Sequence, residues 1–413
     1  MMNKQVKGPG FWAYFFVFTA VYFSMDTLLF GTNKEEIFST ILYVSVPFFA
    51  VIAFMYGALM QKRVHAIALM VTFLMCLMVL CTHFAVEQEL NLKYFFECLV
   101  ILQAYLICTV IPVQDFKRAF VNVMALLALV SVLGFGLRYV YPGIVKVLPV
   151  ITNTSDYKYG SLLLTTIPHD MLYVTFRNYG IFREPGVYQF FLNLALIFLL
   201  EKPDVAKSWQ FYALLLAMVF TFSTAGYILC IAIILVYFFL DRLEIKLETV
   251  VPVALGVVAV LFLFSRGIIK ADSNIFTKLL SKNASTNSRF GSIAVDFHIA
   301  LMNPVFGSGF EFVEHNFRTI ALDEFALNEM HNTNTIMKMM AVHGFAAPVL
   351  FLSGLALFCR KHLIRRGWTI FFVVFAAMMS ASDLIFNTII YILMIYGFVP
   401  DESMESGYEI ASN

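Results

Sequence analysis

The apolar stretch Ala66-Ile-Ala-Leu-Met-Val-Thr-Phe-Leu-Met-Cys-Leu-Met-Val-Leu-Cys-Thr-His-Phe84 decides the fold class of this chain. It contains no Asp, Glu, Lys or Arg. As a helix rising 1.5 Å per residue, it would be about as long as the ~30 Å hydrocarbon core of a bilayer is thick. The stretch therefore predicts a helix that crosses a membrane.

The rest of the chain shares this character. Of its 413 residues, 61% are hydrophobic and 13% are charged, whereas a soluble domain is nearer half apolar and a quarter charged. The formal net charge is +1, so no polyanion such as nucleic acid is indicated as a partner. The first apolar run lacks a small-residue cleavage site and is predicted to be a retained helix.

Comparable apolar runs recur along the whole sequence. They predict spans near 11–30, 37–59, 66–84, 94–113, 119–140, 185–200, 209–223, 226–240, 247–265, 334–359, 368–382 and 385–399. We therefore expect an all-α, polytopic integral membrane protein of about a dozen transmembrane helices, with residues 1–413 forming a single domain.

Lysine and arginine recur in every second short connection between these runs. The clusters are Lys4 and Lys7; Lys62 and Arg63; Lys117 and Arg118; Lys202 and Lys207; Arg242 and Lys246; and Arg360, Lys361, Arg365 and Arg366. Because cationic short loops stay in the cytoplasm, both termini are predicted to be cytoplasmic. For the cationic connections before and after it to lie on the same side, the stretch between Trp209 and Leu240 must cross the membrane twice, with an outer turn at 223–226.

Two long connections fall on the outer side in this topology. They run over 141–184 and 266–333, and both carry basic residues, including Arg177 in the first. Long translocated loops tolerate such charge. Cations beside apolar spans also suit a lipid-linked diphosphate.

The first long connection ends in Phe182-Arg183-Glu184-Pro185-Gly186. Proline fits the first turn of a helix, where its missing N–H costs little. The span that follows is roughly 24 Å long, shorter than the bilayer core, so Arg183 and Glu184 are expected at the hydrocarbon boundary. A helix N-terminus beside an arginine is a ready anion site. A structural Arg–Glu pair that anchors the helix end is the alternative.

The second long connection contains two candidate elements. Residues 287–297, with Arg289 near their start, predict an amphipathic helix on the membrane surface. The segment Asn303-Pro304-Val-Phe-Gly307-Ser-Gly309 would end that helix and add a glycine turn. Further on, His331, Thr335 and Lys338 share one helix face. A histidine at such a cavity mouth can act as a general base near neutral pH, or it can simply cap the helix.

The sequence gives no sign of a metal or a cofactor. All six cysteines lie in or beside apolar runs, which argues against a disulfide framework or a thiolate metal site. No histidine pair has convincing metal-ligand spacing, and nucleotide-binding glycine loops are missing.

Taken in order, Arg289-Phe-Gly-Ser-Ile-Ala294, the Asn303–Gly309 segment, His331-Asn-Thr-Asn-Thr335 and Gly344 resemble the O-antigen polymerase and ligase superfamily of bacterial inner-membrane glycosyltransferases. The Phe182–Gly186 segment and the turn Thr221–Gly226 look more like the polymerase (Wzy-type) branch. The resemblance covers roughly residues 180–355. It implies a multi-pass protein of the inner membrane, with its two long connections in the periplasm.

The resemblance implies a donor glycan linked to undecaprenyl diphosphate, which is passed to the sugar of a new lipid-linked repeat unit. It also implies a chain-length regulator and a flippase as possible partners. By the same resemblance, Arg183 and Arg289 would bind the diphosphate, with Arg177 and Lys338 as further candidates. His331 or Glu184 would take the acceptor proton. Ligase-like members often carry an arginine where this chain has Ser223-Thr-Ala225, a departure that argues against a ligase.

Two other functions stay open on the sequence. One is a ligase of the same superfamily, and the other is a lipid-linked oligosaccharide flippase or another transporter. A transporter places ionisable groups near the membrane midplane, where Glu97 and a few residues at span ends are the candidates. The unusual residues cluster at the outer boundary instead, which favours an enzyme.

Overall fold

The computed structural model describes residues 8–169, 177–202, 205–235, 284–325, 327, 334–363 and 383–400, with only the backbone for residues 224 and 284–290. The predicted spans at 247–265 and 368–382, and the candidate His331, lie outside these ranges. The first half contains α1 (Phe11–Tyr22), α2 (Leu28–Gly31), α3 (Glu36–Leu59), α4 (Ala66–Val86), α5 (Leu92–Val110) and α6 (Val113–Val140). The rest of the described chain contains α7 (Pro185–Leu199), α8 (Trp209–Phe220), α9 (Thr224–Leu235), α10 (Ala284–Met302), α11 (Gly309–Phe325), α12 (Thr335–His343), α13 (Ala346–His362) and α14 (Thr388–Tyr396).

The chain is a mostly helical membrane protein. Among the described residues, the helices α3, α4, α5 and α6 are long and apolar enough to cross a bilayer. They lie where the sequence predicts spans near 37–59, 66–84, 94–113 and 119–140. α3 and α4 also expose large apolar side chains such as Phe54 and Phe73. Such a surface suits contact with lipid and would be costly in water.

The interior of the bundle is organised around two helices. α5 packs against α3, α4 and α14, while α6 packs against α1, α7 and α8. α7 is enclosed, since every residue from Val187 to Leu199 is buried. It begins at Pro185, as the sequence predicts, and its Phe191 ring stacks on Phe182 at 4.6 Å between centroids. α7 is therefore a core helix whose N-terminus is fixed by packing.

The stretch between Trp209 and Leu240, which is predicted to cross twice, forms two helices in its described part, up to Leu235. α8 ends at Phe220 and α9 begins at Thr224, with a tight turn between them. Phe222 in this turn has a positive φ of 49°. The break falls close to the position that the alternation of cationic connections requires.

The predicted first span, 11–30, is not one helix. α1 ends at Tyr22, and α2 begins only at Leu28. Between them, the Ser24 hydroxyl oxygen accepts from the Asp26 amide at 3.1 Å, and the Thr27 hydroxyl donates to the Ser24 carbonyl at 2.9 Å. Such local side-chain bonds compete with helix propagation, and here they turn the chain so that Asp26 points into the protein.

The predicted span 334–359 is also wrong as a single helix. It consists of α12 and α13, separated at Gly344, whose φ is +77°. A Cβ at this position would lie 2.5 Å from the Val305 carbonyl oxygen. The break therefore comes from the close approach of the second long connection, which a sequence pattern alone does not reveal.

The first long connection contains a small sheet that the all-α prediction missed. Its strands are β1 (Val150–Thr152), β2 (Lys158–Ser161) and β3 (Thr166–Pro168), paired antiparallel in that order. Isolated bridges from Thr27 to Phe182 and from Asn33 to Asn153 attach this region to the start of the chain. The strands are three or four residues long, too short to give a period-2 signal.

The second long connection contains two helices. α10 covers the predicted amphipathic segment and ends just before Asn303-Pro304. The residues after it form a turn, and the additional helix α11 starts at Gly309. α10 packs against α11 and α12, and Asp296 on α10 is fully buried. α10 therefore packs against protein along the face that carries Asp296.

The bundle has two chemically different ends. One end, here called the sheet end, holds the α1–α2 connection, the sheet and the start of α7. At the other end, here called the lysine end, the Lys117 ammonium contacts Glu201 at 2.5 Å and the His362 carbonyl at 2.6 Å. There the start of α6 meets the ends of α7 and α13. The cationic connections at 62–63 and 117–118 both belong to this lysine end.

We expect replacement of Gly307 by alanine to destabilise the protein by at least about 1–3 kcal/mol. Gly307 has a φ of +71°, and an added Cβ would lie 2.1 Å from the Val342 carbonyl oxygen. Thermal unfolding of the detergent-solubilised protein measures the effect. Gly136 on α6 has nothing within 4 Å of its built Cβ, so Gly136→Ala should be neutral or stabilising. Equal melting temperatures for the two variants would contradict this account of the turn.

Candidate functional site

A cluster of charged and polar side chains lies at the sheet end of the bundle. Its members are Ser24, Asp26, Arg183, Lys338, Asp383 and Asn387, here called the charged cluster. They come from the α1–α2 connection, the residue pair before α7, the first turn of α12 and the start of α14. The two long connections re-enter the bundle at α7 and α12, so the cluster lies where both of them end.

Arg183 is the centre of this cluster. Its Nη2 donates to Asp26 Oδ1 at 3.1 Å and also to the main-chain carbonyl of Asp383. The Arg183 amide donates to the Asp26 carbonyl at 2.8 Å. Its side chain is 21% exposed, against 2% for Asp26. The guanidinium Nε is buried and has no acceptor among the described residues.

Lys338 is joined to Arg183 through Asp383. The Lys338 ammonium contacts Asp383 Oδ2 at 2.6 Å and lies 5.7 Å from the centre of the Phe310 ring. Burial by itself would raise the pKa of the Asp383 carboxyl. Lys338 and Arg183 outweigh that effect and hold the pKa below its ordinary value, so Asp383 is a carboxylate at neutral pH.

Polar side chains at the helix starts fix the geometry of the cluster. The Asn387 amide donates to Asp26 Oδ2 at 2.5 Å and to the Ser24 hydroxyl at 3.0 Å. The side-chain oxygen Oδ1 of Asn387 accepts from the main-chain amide of Ile389 and so caps α14. The Thr335 hydroxyl on α12 accepts from the Leu384 amide at 3.1 Å. The starts of α12 and α14 are thereby tied to each other and to Asp26.

Glu184 occupies the N-cap position of α7, directly after Arg183. Its side chain makes no capping bond, and the residue is exposed. The Arg183 guanidinium bonds the carboxylate of Asp26, from 157 residues earlier in the sequence. Arg183 therefore anchors the helix start through Asp26, while Glu184 is presented at the surface of the same end.

Arg177 lies beside the turn between α8 and α9. The next residue, Asn178, donates its amide to the Phe220 carbonyl at 2.8 Å. The Arg177 charge is close enough to act on the hydroxyls of Tyr179 and Tyr227. The first long connection therefore brings a cation to the turn where this sequence reads Ser223-Thr-Ala225.

The structure describes some of the predicted site residues fully and others only in part or not at all. Arg183 and Lys338 are brought together through Asp383, with Glu184 adjacent to Arg183 in the chain. Arg289 belongs to the first half of α10, but its side chain lies outside the described part of the structure. His331 lies outside the described residues altogether. Convergence of Arg289 and His331 on Arg183 therefore stays a prediction.

Sequence reasoning missed the carboxylates of the cluster. The predicted span 11–30 contains Asp26 in its interior, and Asp383 falls in the short gap between the predicted spans 368–382 and 385–399. Their contacts with Arg183 cross 157 and 200 residues of sequence. One signal was available, since an Asp within an apolar run is costly unless it has a partner. Among the described residues, no group of three or more His, Cys, Asp and Glu side chains is arranged to hold a metal ion.

Removing Asp26 should cost roughly 3–5 kcal/mol of stability, because Asp26→Ala leaves the Arg183 charge without its buried partner. Glu314→Ala is the matched control, since it removes an acid from the half-exposed Lys93–Glu314 pair. Exposed pairs contribute only about 0–1 kcal/mol. Thermal unfolding in detergent compares the two variants. A melting temperature for Asp26→Ala as high as that of Glu314→Ala would show that the buried pair does not stabilise the fold.

The fold and the cluster define a mostly helical membrane protein with an ionic site at one end of its bundle. Residues 211–352 match the model of a protein family described as O-antigen ligase. The matched segment runs from α8 into α13 and comprises 142 of the 413 residues. No curated protein matches the chain. The family match supports the O-antigen polymerase and ligase superfamily, whose members are glycosyltransferase-like enzymes, without separating its branches.

Proposed function

We propose that this protein is a glycosyltransferase of the bacterial inner membrane. It polymerises oligosaccharide repeat units carried on undecaprenyl diphosphate, on the periplasmic face. The observation that carries the proposal is the junction of Arg183 with Lys338 through Asp383. Arg183 is the last cation of the first long connection, and Lys338 lies in the first helix after the second. Two segments that the family resemblance singles out independently thus meet at one end of the bundle.

The chemistry of the leaving group explains why cations are needed there. Breaking the glycosidic bond to a lipid diphosphate develops negative charge on the phosphate oxygens. Arginine is always protonated and binds phosphate oxygens through two parallel N–H groups. Fixed cations stabilise the developing charge without reorganising. Because the diphosphate donor is already activated, the reaction needs no nucleotide.

The charged cluster by itself carries no excess positive charge, since two carboxylates face two cations. Phosphate binding there requires further cations, and Arg177 and Arg289 are the candidates. Arg183 contributes through the part of its side chain that stays accessible, which is 21% exposed. Asp26 and Asp383 hold the Arg183 and Lys338 side chains in place while the phosphate binds.

Arg177 provides an arginine near the turn where ligase-like members often carry one and where this chain has Ser223-Thr-Ala225. The turn between α8 and α9 has no arginine of its own, but the fold brings Arg177 beside it. We propose Arg177, supplied by the first long connection, as a third cation of the diphosphate site beside Arg183 and Arg289. One arginine of the proposed site then comes from a different segment than in ligase-like members.

Two residues are candidates for the base that takes the acceptor proton. Glu184 is exposed at the N-terminus of α7, next to Arg183. His331 precedes Asn334, the cap residue of α12, by three positions. Histidine suits proton transfer near neutral pH, because it exchanges between its neutral and protonated forms in that range. We propose His331 as the base and Glu184 as the group that orients the acceptor sugar.

A ligase is the second candidate function, because the matching family model is described as O-antigen ligase. A transporter is disfavoured by the state of Glu97. This residue is fully buried, with Oε2 3.0 Å from His343 Nε2 and Oε1 accepting from the Tyr391 hydroxyl at 2.8 Å. Both carboxylate oxygens are committed to partners within the bundle. Glu97 therefore does not form an open midplane binding site.

Deletion of the gene in its native host tests the proposal. Loss of a polymerase should leave surface lipopolysaccharide capped with single repeat units, seen as one band above the core on a gel. Loss of a ligase should leave core alone, and loss of a flippase should trap the repeat units facing the cytoplasm. Plasmid-borne wild type must restore the full ladder. Core without any repeat unit in the deletion strain would replace the polymerase assignment by the ligase.

In the same strain we expect Arg289→Ala to abolish the polymer ladder, because it removes one of the diphosphate cations. Arg318→Ala is the matched control, since Arg318 is exposed on α11 in the same connection. Both proteins are quantified in membranes by immunoblot. A normal ladder from a stably inserted Arg289→Ala protein would remove Arg289 from the site.

A further inference from the structure

A large cavity opens at the lysine end of the bundle, away from the charged cluster. Its volume is ≈ 990 Å³, within the range of small-ligand sites. Its walls come from the connection between α3 and α4, the connection between α5 and α6, and the ends of α13 and α14. The proposed glycosyltransfer reaction makes no use of this end.

The mouth of the cavity is basic. The exposed Lys62 and Arg63 line it from the α3–α4 connection together with His65, while the buried His362 lines the interior from the end of α13. Among the described residues that line the cavity there is no Asp or Glu, although Asp115 follows the lining residue Gln114 directly. A concave basic surface favours an anionic ligand.

The floor of the cavity is apolar. It includes Val110, Ile111, Tyr396 and Val399. The wall continues into α3 and α4, whose side chains next to the mouth are apolar and strongly exposed, with Leu59 at 80% and Ile67 at 57%. Both helices are candidate membrane spans with lipid-facing surfaces. The cavity therefore joins a basic mouth to the surface that contacts acyl chains.

We propose that this cavity binds the phosphate headgroup of an anionic phospholipid. Lys62 and Arg63 contact the phosphate, and one acyl chain lies along the exposed apolar faces of α3 and α4. Basic pockets between membrane helices bind anionic headgroups in this way. The predicted orientation puts the lysine end in the cytoplasmic leaflet, and the proposal does not depend on the polymerase activity.

Two other occupants share the same charge complementarity. A soluble phosphate would use the cations but not the apolar floor. The sequence that follows Pro400 contains Asp401, Glu402, Glu405 and Glu409 and no basic residue, so its carboxylates would also complement the mouth. The lipid is preferred because it alone uses both the basic mouth and its continuity with the lipid-facing helices.

Native mass spectrometry of the full-length protein provides the test. The purified protein is exchanged from lipid into detergent, and phosphatidylglycerol or phosphatidylcholine is titrated back. The cavity variant is Lys62→Gln/Arg63→Gln. The matched control is Lys34→Gln/Lys93→Gln, which removes the same charge from positions outside the cavity. Thermal unfolding verifies that both variants are folded.

We expect the wild type and the control to retain phosphatidylglycerol over phosphatidylcholine, and the cavity variant to lose that preference by on the order of tenfold or more. Equal retention by the cavity variant and the control would overturn the site. Displacement of phosphatidylglycerol by millimolar inorganic phosphate would assign the site to a soluble anion instead. Retention that appears only after D401N/E402Q/E405Q/E409Q would make the acidic segment the occupant. Either of these two results would overturn the lipid proposal.

Discussion

Replacing Arg183 with alanine is expected to abolish polymer formation in a strain that carries the variant as its only copy. The substitution removes the guanidinium that joins Asp26 to the Asp383 carbonyl, and with it a proposed phosphate ligand. Arg183→Lys should restore only a small part of the activity. An ammonium is a point charge and cannot bridge two fixed acceptors while presenting a further edge to a phosphate. The length of the polysaccharide ladder on a gel measures the effect.

The control for Arg183 is Lys34→Ala. Lys34 is also a cation of the sheet end, but it is half-exposed and paired with Asp156, so its loss should leave the ladder intact. Membrane content and melting temperature separate lost chemistry from lost folding. Because Arg183 is also structural, Arg183→Lys is the decisive variant. A full ladder from stably folded Arg183→Lys would mean that the fork geometry of the arginine is not required.

Replacing His331 with alanine is expected to remove activity while leaving the bundle folded. The proposal gives His331 the acceptor proton, and general-base catalysis contributes typically 10²- to 10⁴-fold in rate. The ladder should therefore collapse to single repeat units. If His331 acts only in proton transfer, its variant should melt at the temperature of the wild type. The ladder and the melting curve are measured on the same membranes.

His315→Ala is the matched control for His331. His315 lies on α11 in the same long connection, is exposed, and bonds through Nδ1 to the Glu311 carbonyl of its own helix. Its loss should change neither the ladder nor the melting temperature. If His331→Ala keeps a normal ladder, the proton must go to another group, and Glu184→Gln becomes the variant to examine. Loss of activity in both histidine variants would point to a general disturbance of the connection.

The junction of Arg183 and Lys338 through Asp383 also explains how segments that are far apart in the sequence are held together. Asp383 accepts Lys338 on its carboxylate and Arg183 on its main-chain carbonyl. Asn387, one turn further along, holds Asp26. The starts of α7, α12 and α14 therefore share one ionic junction. A substitution at any one of these residues should therefore disturb the ends of both long connections.

Much of the fold was accessible from sequence because membrane insertion is governed by local quantities. A run of apolar residues long enough to cross the bilayer predicts a helix whatever lies around it. α3, α4, α5 and α6 are found where such runs occur. Cationic connections repeat in phase along the chain, and the structure gathers two of them, at 62–63 and 117–118, at one end. Pro185 marked the start of α7 for a similarly local reason.

Other features depended on contacts that no local pattern records. The helix break at Gly344 arises because the Pro304–Val305 turn packs against it. The short strands β1, β2 and β3 are defined by their pairing with each other, and each is too brief to be read alone. Asp26 looked like a residue of an apolar span, yet its carboxylate faces Arg183.

The sequence by itself determined that this is a helical membrane protein, and it singled out Arg183, Glu184 and Lys338. An apolar run, a cationic short connection and the proline at the start of α7 are each local features of the sequence, so they can be recognised without knowing what packs around them. Only the tertiary structure decided which groups these residues meet. Asp26 and Asp383 lie 157 and 200 residues from Arg183. A buried charge selects its partner by packing in space, and sequence separation carries no information about that distance.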